Sequence, residues 1–189
     1  MKLEIRKYGD PVLREKAEPV EKVDERIRAL AKNMIETLHG DQGGVGLAAQ
    51  QVGETVAVCV IEVPVEYDAD DKGMRFNPDV KMPLVLINPE IIEASKETEV
   101  RDEGCLSFPD IYAPIARAHE LIVAFDDLKG ARKTLRAVGL LARAVQHEMD
   151  HLEGVLIVDR MSAVKKVTLA GRLKKLQAEA KKVAGGTQR

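Results

Sequence analysis

The sequence predicts an α+β protein in which mixed or antiparallel sheets pack around one central helix, with a further helix at the C-terminus. Apolar residues follow helical spacing in two segments, and a long stretch of short Val- and Ile-rich runs lies between them. The links between these runs are short, which favours antiparallel pairing. The second helical segment also carries two histidines spaced so that both imidazoles project from one helix face.

The N-terminal part of the chain contains a helix, a strand and a loop. Apolar residues between 27 and 38 recur at helical spacing after Asp24, an expected N-cap, and the helix should end near Gly40. Residues 55–63 are rich in Val and Ile and are predicted to form a strand. Residues 64–83 are polar and rich in turn formers, which indicates a loop or a small lid.

The remaining elements follow from the same patterns. Further strands are predicted at residues 84–87, 90–95, 120–125 and 155–158. One face of the second helix carries five residues of the expected interior: Leu141, Ala144, Val145, Glu148 and Leu152. Gly154 should stop this helix. Ser162 should cap a last helix to about residue 183, after which residues 184–187 should fray.

The charge of the chain is unevenly distributed. The 189 residues carry a formal net charge of −2, yet residues 160–189 contain nine Lys or Arg side chains and one Glu. We expect a single domain, with a main body over residues 1–160 and a basic C-terminal helix with a frayed tail over residues 161–189.

Composition also limits the cellular setting. No apolar run reaches transmembrane length, and the charged N-terminus has no signal-peptide core. Two cysteines are too few for a disulfide framework. We therefore expect a cytoplasmic protein with no membrane partner. The overall acidic balance argues against general or sequence-specific nucleic-acid binding.

The second helix can hold a metal ion. His147 and His151 share one face, and Glu148 stands beside the first of them, where it can take the proton of a metal-bound water. A His-Glu-x-x-His helix indicates metal-assisted hydrolysis. A catalytic site normally needs a third protein ligand. The third histidine of the extended zinc-peptidase motif would fall at Ile157, which excludes that family.

Spacing does not fix the third ligand. Downstream acidic residues are sparse, with Asp159 followed only by Glu179. Upstream, Cys105 lies in Glu-Gly-Cys-Leu-Ser, where its thiolate would complete a Cys/His/His site with one open position. The same cysteine could be a small buried hydrophobe, and both interpretations remain open at this point. Cys59, in a Val- and Ile-rich strand, is predicted to be core.

A third distinctive segment, residues 44–53, reads Gly-Val-Gly-Leu-Ala-Ala-Gln-Gln-Val-Gly. Its first two glycines let the backbone pass close to a ligand, and amide side chains follow. No lysine follows as in a P-loop, and the dinucleotide-binding fingerprint is absent.

The three motifs, in this order across residues 44–151, resemble those of the peptide deformylase family: Gly-x-Gly-Leu-Ala-Ala-x-Gln, Glu-Gly-Cys-Leu-Ser and Gln-His-Glu-x-Asp-His. Members of that family remove the N-formyl group from the initiator methionine of nascent proteins. The resemblance implies the deformylase fold and a catalytic body over residues 1–160. It also implies one divalent cation per chain, Fe²⁺ as the working ion, with Zn²⁺, Ni²⁺ or Co²⁺ as substitutes.

The resemblance further implies the roles of individual residues. The metal ligands would be Cys105, His147 and His151. Glu148 would act as general base and then general acid, while the Gln51 amide and the Leu106 N–H would face the formyl oxygen. Gln50 departs from the small residue or proline often found there, but this position of the motif is variable, so we expect no loss of activity.

The implied substrate is an N-formylmethionyl peptide bound as an extended strand. Two groups of residues are expected to contact it: the segments Gly44-Val45-Gly46 and Glu103-Gly104 through their backbones, and a methionine pocket formed by Val45, Leu140, Ala144 and the His147 ring. Arg143 is expected at the pocket rim with its head in solvent, or as a plain exposed helix residue. Asp150 is expected to pair with Arg117, and Tyr112 either lines the groove or packs structurally.

Several alternatives remain. The basic last helix is either a solvated face or a surface that docks on ribosomal RNA phosphates. One rival function is a general metallopeptidase, against which Ile157 and Cys105 count. Another is a non-catalytic ribosome-binding homologue, against which the intact Gln51, Cys105 and Glu148 count. His39 and His119 have no partners at ligand spacing and are expected to be surface or structural residues.

Overall fold

The computed structural model describes residues 1–40 and 44–186. Its helices are α1 (Glu25–His39), α2 (Leu140–Leu152), α3 (Ile157–Arg160) and α4 (Ala163–Gly186). Its strands are β1 (Gly46–Ala48), β2 (Val58–Ile61), β3 (Leu84–Ala94), β4 (Thr98–Cys105), β5 (Phe108–Ala118), β6 (Glu120–Asp126) and β7 (Arg132–Val138). Short 3₁₀ helices cover Pro11–Arg14, Ala49–Val52 and Val65–Tyr67.

The strands form two sheets around α2. Five strands pair in the order β1-β2-β3-β6-β7, and β4 pairs with β5 in a separate two-stranded sheet. Every pairing between these strands is antiparallel. Helix α2 contacts β1, β2 and β7 of the larger sheet and β5 of the smaller one. The α+β class, the antiparallel pairing, the central helix and the C-terminal helix are thus as predicted.

Strands β1 and β2 of the larger sheet are buried on both faces because α1 and α2 cover opposite sides of them. Along β2, Cys59 and Ile61 pack into the cluster that contains α2, whereas Val58 and Val60 pack into the cluster that contains α1. This alternation follows from the two-residue period of a strand. It explains why β2 is apolar at every position, and it confirms that Cys59 is a core residue.

The predicted ends of α1 and the predicted interior face and stop of α2 are confirmed. The Asp24 carboxylate accepts a hydrogen bond from the Ile27 N–H at 3.0 Å, and Gly40 follows the last residue of α1. All five residues of the expected interior face of α2 are buried. Gly154, after α2, has a φ of +70°, and a Cβ there would overlap the Arg14 backbone, so this position requires glycine.

Two strand predictions are wrong. Residues 155–158 do not form a strand, because Asp159 accepts the Leu156 N–H at 2.8 Å and nucleates α3 instead. The segments 84–87 and 90–95 are one strand, β3, rather than two. Asn88 adopts a φ of +49° there, and the pairing with β6 shifts register between Ile87 and Glu90, so the apparent break is a bulge.

Helix α4 begins as expected and packs along one side of the molecule. The Ser162 hydroxyl accepts the Lys165 N–H at 3.2 Å. Leu169, Leu173 and Leu176 are buried in a cluster with residues of β5 and α3. The backbone is helical to Gly186, three residues beyond the predicted end, so residues 184–186 do not fray as expected, and residues 187–189 lie outside the described residues. None of the described helices is long and apolar enough to cross a membrane.

Candidate metal centre

The metal-binding residues come from two elements that the fold presses together. Cys105 is the last residue of β4, whereas His147 and His151 stand one turn apart on α2. The β4–β5 register shifts between Glu103 and Cys105, which turns the end of β4 toward α2. Gly104 allows this because a Cβ there would lie 2.6 Å from the Tyr112 ring. The backbone at Gly104 therefore lies close to the Tyr112 ring, and this close approach directs the Cys105 side chain toward α2.

The three donor atoms converge. The Cys105 Sγ lies 3.2 Å from the His151 Nε2, and one donor atom from each of Cys105, His147 and His151 lies within 4.8 Å of the others. In a tetrahedral zinc site with ordinary bond lengths, neighbouring donors are about 3.6 Å apart. The spacing therefore fits one cation bound by sulfur and two nitrogens. Among the described residues, this is the one cluster of such side chains that could hold a metal ion.

The pKa values of the two imidazoles shift in opposite directions. In His147, hydrogen bonds to Cys105 and Glu103 outweigh burial and raise the pKa well above its ordinary value. In His151, burial and the neighbouring His147 charge lower the pKa well below its ordinary value.

A buried carboxylate orients the first imidazole. The Glu103 Oε2 lies 3.1 Å from the His147 Nδ1, which leaves the His147 Nε2 to face the centre. Both Glu103 oxygens also accept hydrogen bonds from Arg117 at 3.0 Å. Burial alone would raise the pKa of Glu103, but the hydrogen bonds from His147 and Arg117 lower it to about 2. Carboxylates in this position fix the tautomer and direction of a metal-binding histidine.

Two arginines extend this network. Arg117 donates to Asp150 at 2.6 Å, so the predicted Arg117–Asp150 pair is confirmed. Both expectations for Arg143 are wrong: its guanidinium does not lie in solvent, and the residue is not a plain exposed position of the helix. Its guanidinium is buried, donating to Glu103 at 2.7 Å and to the Ile115 and Glu99 carbonyls at 3.0 and 2.6 Å. Arg143 therefore ties α2 to the β4–β5 sheet one turn before His147.

Glu148 lies beside the centre on the cavity wall. Its carboxylate is buried, and Oε2 has no hydrogen-bond partner among the described residues. Burial is the main reason that the pKa of Glu148 rises to about 7, with His147 opposing the shift and Glu103 adding to it. A Cβ at Gly46 would overlap this carboxylate, so the backbone of β1 passes directly against it. A carboxyl group poised near neutral pH suits proton transfer.

The side-chain amide of Gln51 is held in one orientation. Its Oε1 accepts the Ala48 N–H at 2.8 Å, which turns Nε2 toward the Cys105 sulfur at 3.5 Å and the Ser107 hydroxyl at 3.2 Å. The neighbouring Leu106 peptide is anchored because Lys7 donates to its carbonyl at 2.8 Å. Sequence reasoning missed Ser107 and Lys7. Ser107 lay within a recognised motif, but no local signal linked Lys7 to a residue so far along the chain.

These residues surround one cavity of about 440 Å³. All of the residues expected to contact substrate line it: Gly44, Val45, Gly46, Glu103, Gly104, Leu140, Arg143 and Ala144. Gln51, Cys105, Leu106, His147 and Glu148 line it as well, and so does Tyr112, one of the two positions considered for that ring. The sequence did not point to Lys7, Asp102, Phe108, Pro109 or Asp110, which complete the lining.

The other histidines lie elsewhere, as expected. His39 pairs with Glu62 on the surface of the protein. His119 lies 3.9 Å from Glu99 and packs its ring edge against Phe76. Neither belongs to the cluster that could bind a metal.

Fold and site together define an α+β protein with one cysteine and two histidines that could hold a metal ion, beside a buried carboxylate and a cavity. Comparison with known proteins agrees with this class. A family model described as polypeptide deformylase matches residues 2–167. The chain belongs to the peptide deformylase family.

Individual relatives cover most of the chain. The peptide deformylase of Dictyoglomus thermophilum is 50% identical over 157 residues, covering 83% of this chain and 91% of the relative. The crystal structure of the Thermotoga maritima enzyme is 42% identical with a TM-score of 0.75, covering 86% of this chain and 99% of that one. The Ehrlichia chaffeensis structure is 38% identical with a TM-score of 0.82, covering 93% and 96%.

Proposed function

We propose that this protein removes the N-formyl group from the N-formylmethionine of nascent polypeptides and releases formate. The convergence of Cys105, His147 and His151 beside the buried carboxylate of Glu148 supports this function most directly. Membership of the peptide deformylase family gives the substrate class. The catalytic body would comprise residues 1–160, with residues 161–189 as part of the same domain.

The three converging residues would hold one divalent cation. Such an ion lowers the pKa of a bound water and polarises a carbonyl oxygen. We propose Fe²⁺ as the working ion, with Zn²⁺, Ni²⁺ or Co²⁺ able to replace it, since thiolate and imidazole donors suit all four. Elemental analysis after anaerobic purification, with formate release measured for each metal, tests this choice. Equal turnover with every metal, or iron absent from active protein, would contradict it.

Glu148 would move the proton. It accepts a proton from the attacking water and later donates it to the departing amino group of methionine. A pKa raised toward neutrality by burial allows both directions of transfer. The unpartnered Oε2 and the position on the cavity wall put this carboxylate within reach of a substrate in the cavity.

Two hydrogen-bond donors would stabilise the tetrahedral species that forms when water attacks the formyl carbon. The Gln51 amide is held by Ala48 with its Nε2 directed at the centre. The Leu106 N–H lies on the same residue as the carbonyl that Lys7 anchors, one peptide unit before it. Because these donors are already oriented, little reorganisation is needed when negative charge develops on the formyl oxygen.

The cavity would bind the start of an extended peptide. Its backbone can pair with the Gly44–Gly46 segment on one side and with Glu103–Gly104 on the other. Val45, Leu140 and Ala144 offer an apolar surface for the methionine side chain. Arg143 shapes this wall from inside the protein, since its charge is taken up by Glu103 rather than offered to the substrate.

A direct assay tests the function. Formate release from formyl-Met-Ala-Ser should require the loaded metal and should stop when a chelator removes it. The unformylated peptide Met-Ala-Ser should remain intact, which separates deformylation from general peptide cleavage. Hydrolysis of its peptide bonds would favour a general metallopeptidase instead, and metal-loaded protein that releases no formate would favour a non-catalytic homologue.

We also propose that basic residues of α4 dock the enzyme on the ribosome. Lys166, Arg172 and Lys174 are exposed on this helix, where they could meet RNA phosphates. Removal of residues 165–189 would also remove buried leucines, so charge reversal of exposed lysines is the cleaner test. Co-sedimentation with ribosomes should fall with added salt and with Lys166→Glu/Lys174→Glu. Unchanged sedimentation would refute the docking.

A further inference from the structure

A second groove opens beside the active cavity, between the start of β5 and α4. Its volume is about 530 Å³, and its walls include Pro109 and Asp110 on one side and Arg172, Lys175 and Glu179 on the other. Pro109 and Asp110 also line the active cavity. The two spaces therefore share a wall at these residues, and a chain that leaves the active cavity over this wall would reach the face of α4.

The boundary between the two spaces has a defined conformation. Asp110 has a φ of +57°, a left-handed conformation that Asp tolerates better than most residues. Its carbonyl accepts a hydrogen bond from the Arg172 Nη1 at 3.4 Å. This contact fastens the start of β5 to α4 and places the Arg172 guanidinium at the entrance of the groove.

The α4 side of the groove carries two cations and one carboxylate: Arg172, Lys175 and Glu179. Lys175 has a carboxylate neighbour, Glu179, at 3.9 Å. Arg172 has a neutral carbonyl as its partner, and within the described part of the chain no carboxylate lies at ion-pair distance from it. The exposed Asp110 carboxylate stands on the boundary itself. The side of the groove formed by α4 is therefore suited to an anionic group near Arg172.

We propose that this groove binds the downstream part of the formylated polypeptide and prefers an acidic side chain opposite Arg172 and Lys175. The inference rests on the proposed deformylase function. A compact space of 440 Å³ has an edge of about 8 Å, whereas three extended residues span about 10 Å. The fourth and later residues of a polypeptide substrate must therefore leave the cavity, and the route over Pro109 and Asp110 leads into this groove.

The test compares peptides of different length and charge with the metal-loaded enzyme. Formyl-Met-Ala-Ser ends before the groove, whereas eight-residue formyl peptides with Glu, Gln or Lys at positions four to six would enter it. At low salt the Glu peptide should exceed the Lys peptide in kcat/KM by about three- to tenfold, the scale of one or two exposed ion pairs. The difference should shrink as salt is added.

Variants of α4 locate the effect. The double variant Arg172→Gln/Lys175→Gln should lose the preference for the Glu peptide and keep the kcat/KM of the tripeptide. The matched control Lys166→Gln/Lys174→Gln removes the same charge from the same helix outside the groove and should keep the preference.

Three outcomes would overturn the inference. If the wild type releases formate from the tripeptide but processes Glu, Gln and Lys peptides equally, the subsite is wrong while the deformylase function stands. If the control variant loses the preference as fully as the groove variant does, the overall charge of α4 is responsible. If no peptide yields formate, the proposed function fails and the subsite fails with it.

Discussion

Replacement of Glu103 by Gln should weaken both the fold and the metal centre. The carboxylate is buried between Arg117, Arg143 and the His147 ring, at 2.7 to 3.1 Å from their nitrogens. Gln has the same shape but no charge, and it cannot accept from all three partners. Arg117 keeps Asp150 as a partner, whereas Arg143 keeps only backbone carbonyls, so a buried cation loses its counter-ion.

The expected loss of stability in Glu103→Gln can be worked out in two independent ways. The pKa of Glu103 falls from 4.5 to about 2, and at 1.36 kcal/mol per pKa unit the folded state favours the charged form by about 3 kcal/mol. Breaking one partner of a buried ion pair typically costs about 3–5 kcal/mol. Denaturant unfolding of the metal-free Glu103→Gln protein should therefore show a loss of about 3 kcal/mol. The neighbouring exposed Asp102→Asn control should change stability by less than about 0.5 kcal/mol.

The same substitution should lower metal affinity about 10- to 100-fold, because the His147 ring loses the carboxylate that orients it. Competition with a coloured chelator measures this directly. A Glu103→Gln protein with wild-type stability and unchanged metal affinity would refute the role of this network.

Four further outcomes are expected. Glu148→Gln should retain the metal, as measured by elemental analysis, yet lose at least about 100-fold in kcat, because proton transfer contributes about 10²–10⁴; near wild-type turnover would rule out its role. Gln51→Leu should lower kcat about 10²–10³-fold through loss of an oxyanion donor, with little change in metal content. Cys105→Ala should lose both metal and activity, and an active metal-loaded variant would show that the thiolate is not a ligand. The folded-state pKa of Glu103 is depressed, so the contribution of its carboxylate to the free energy of unfolding is complete above pH 4.5 and is lost between pH 4.5 and about 2. Metal-free wild type should therefore lose more stability than Glu103→Gln across that pH range.

Much of the fold was predictable where a local pattern has a local cause. Asp24 caps α1 through a contact only three residues away, and the apolar face of α2 follows from helical periodicity. The strand predictions were wrong where contacts between distant parts of the sequence decide the local structure. Residues 84–94 look interrupted at Asn88, but Asn88 bonds to Val20 and Asp126 and thereby holds a bulge within one strand. The charged β7 carries no clear strand pattern and exists because β6 pairs with it along its length.

The residues of the site also fall into two groups, those whose positions follow from local pattern and those whose positions depend on distant contacts. Motif spacing correctly predicted that His147, Glu148 and His151 lie together, since they share one helix and their relative positions follow from helix geometry. The burial of Arg143 was not predictable, because its sequence neighbours do not reveal that the β4–β5 sheet covers it. Lys7 was also not predicted, because its partner Leu106 lies far from it in the sequence.

By itself, the sequence determined which residue types are available for metal binding and proton transfer, and which local segments form helices. Only the tertiary structure decided that the Cys105 sulfur meets the two imidazoles and that the Glu103 carboxylate contacts the His147 Nδ1. The reason is physical. Periodicity and capping act over a few residues, whereas a metal centre depends on the packing of surfaces from separate elements, which is settled only when the whole core forms.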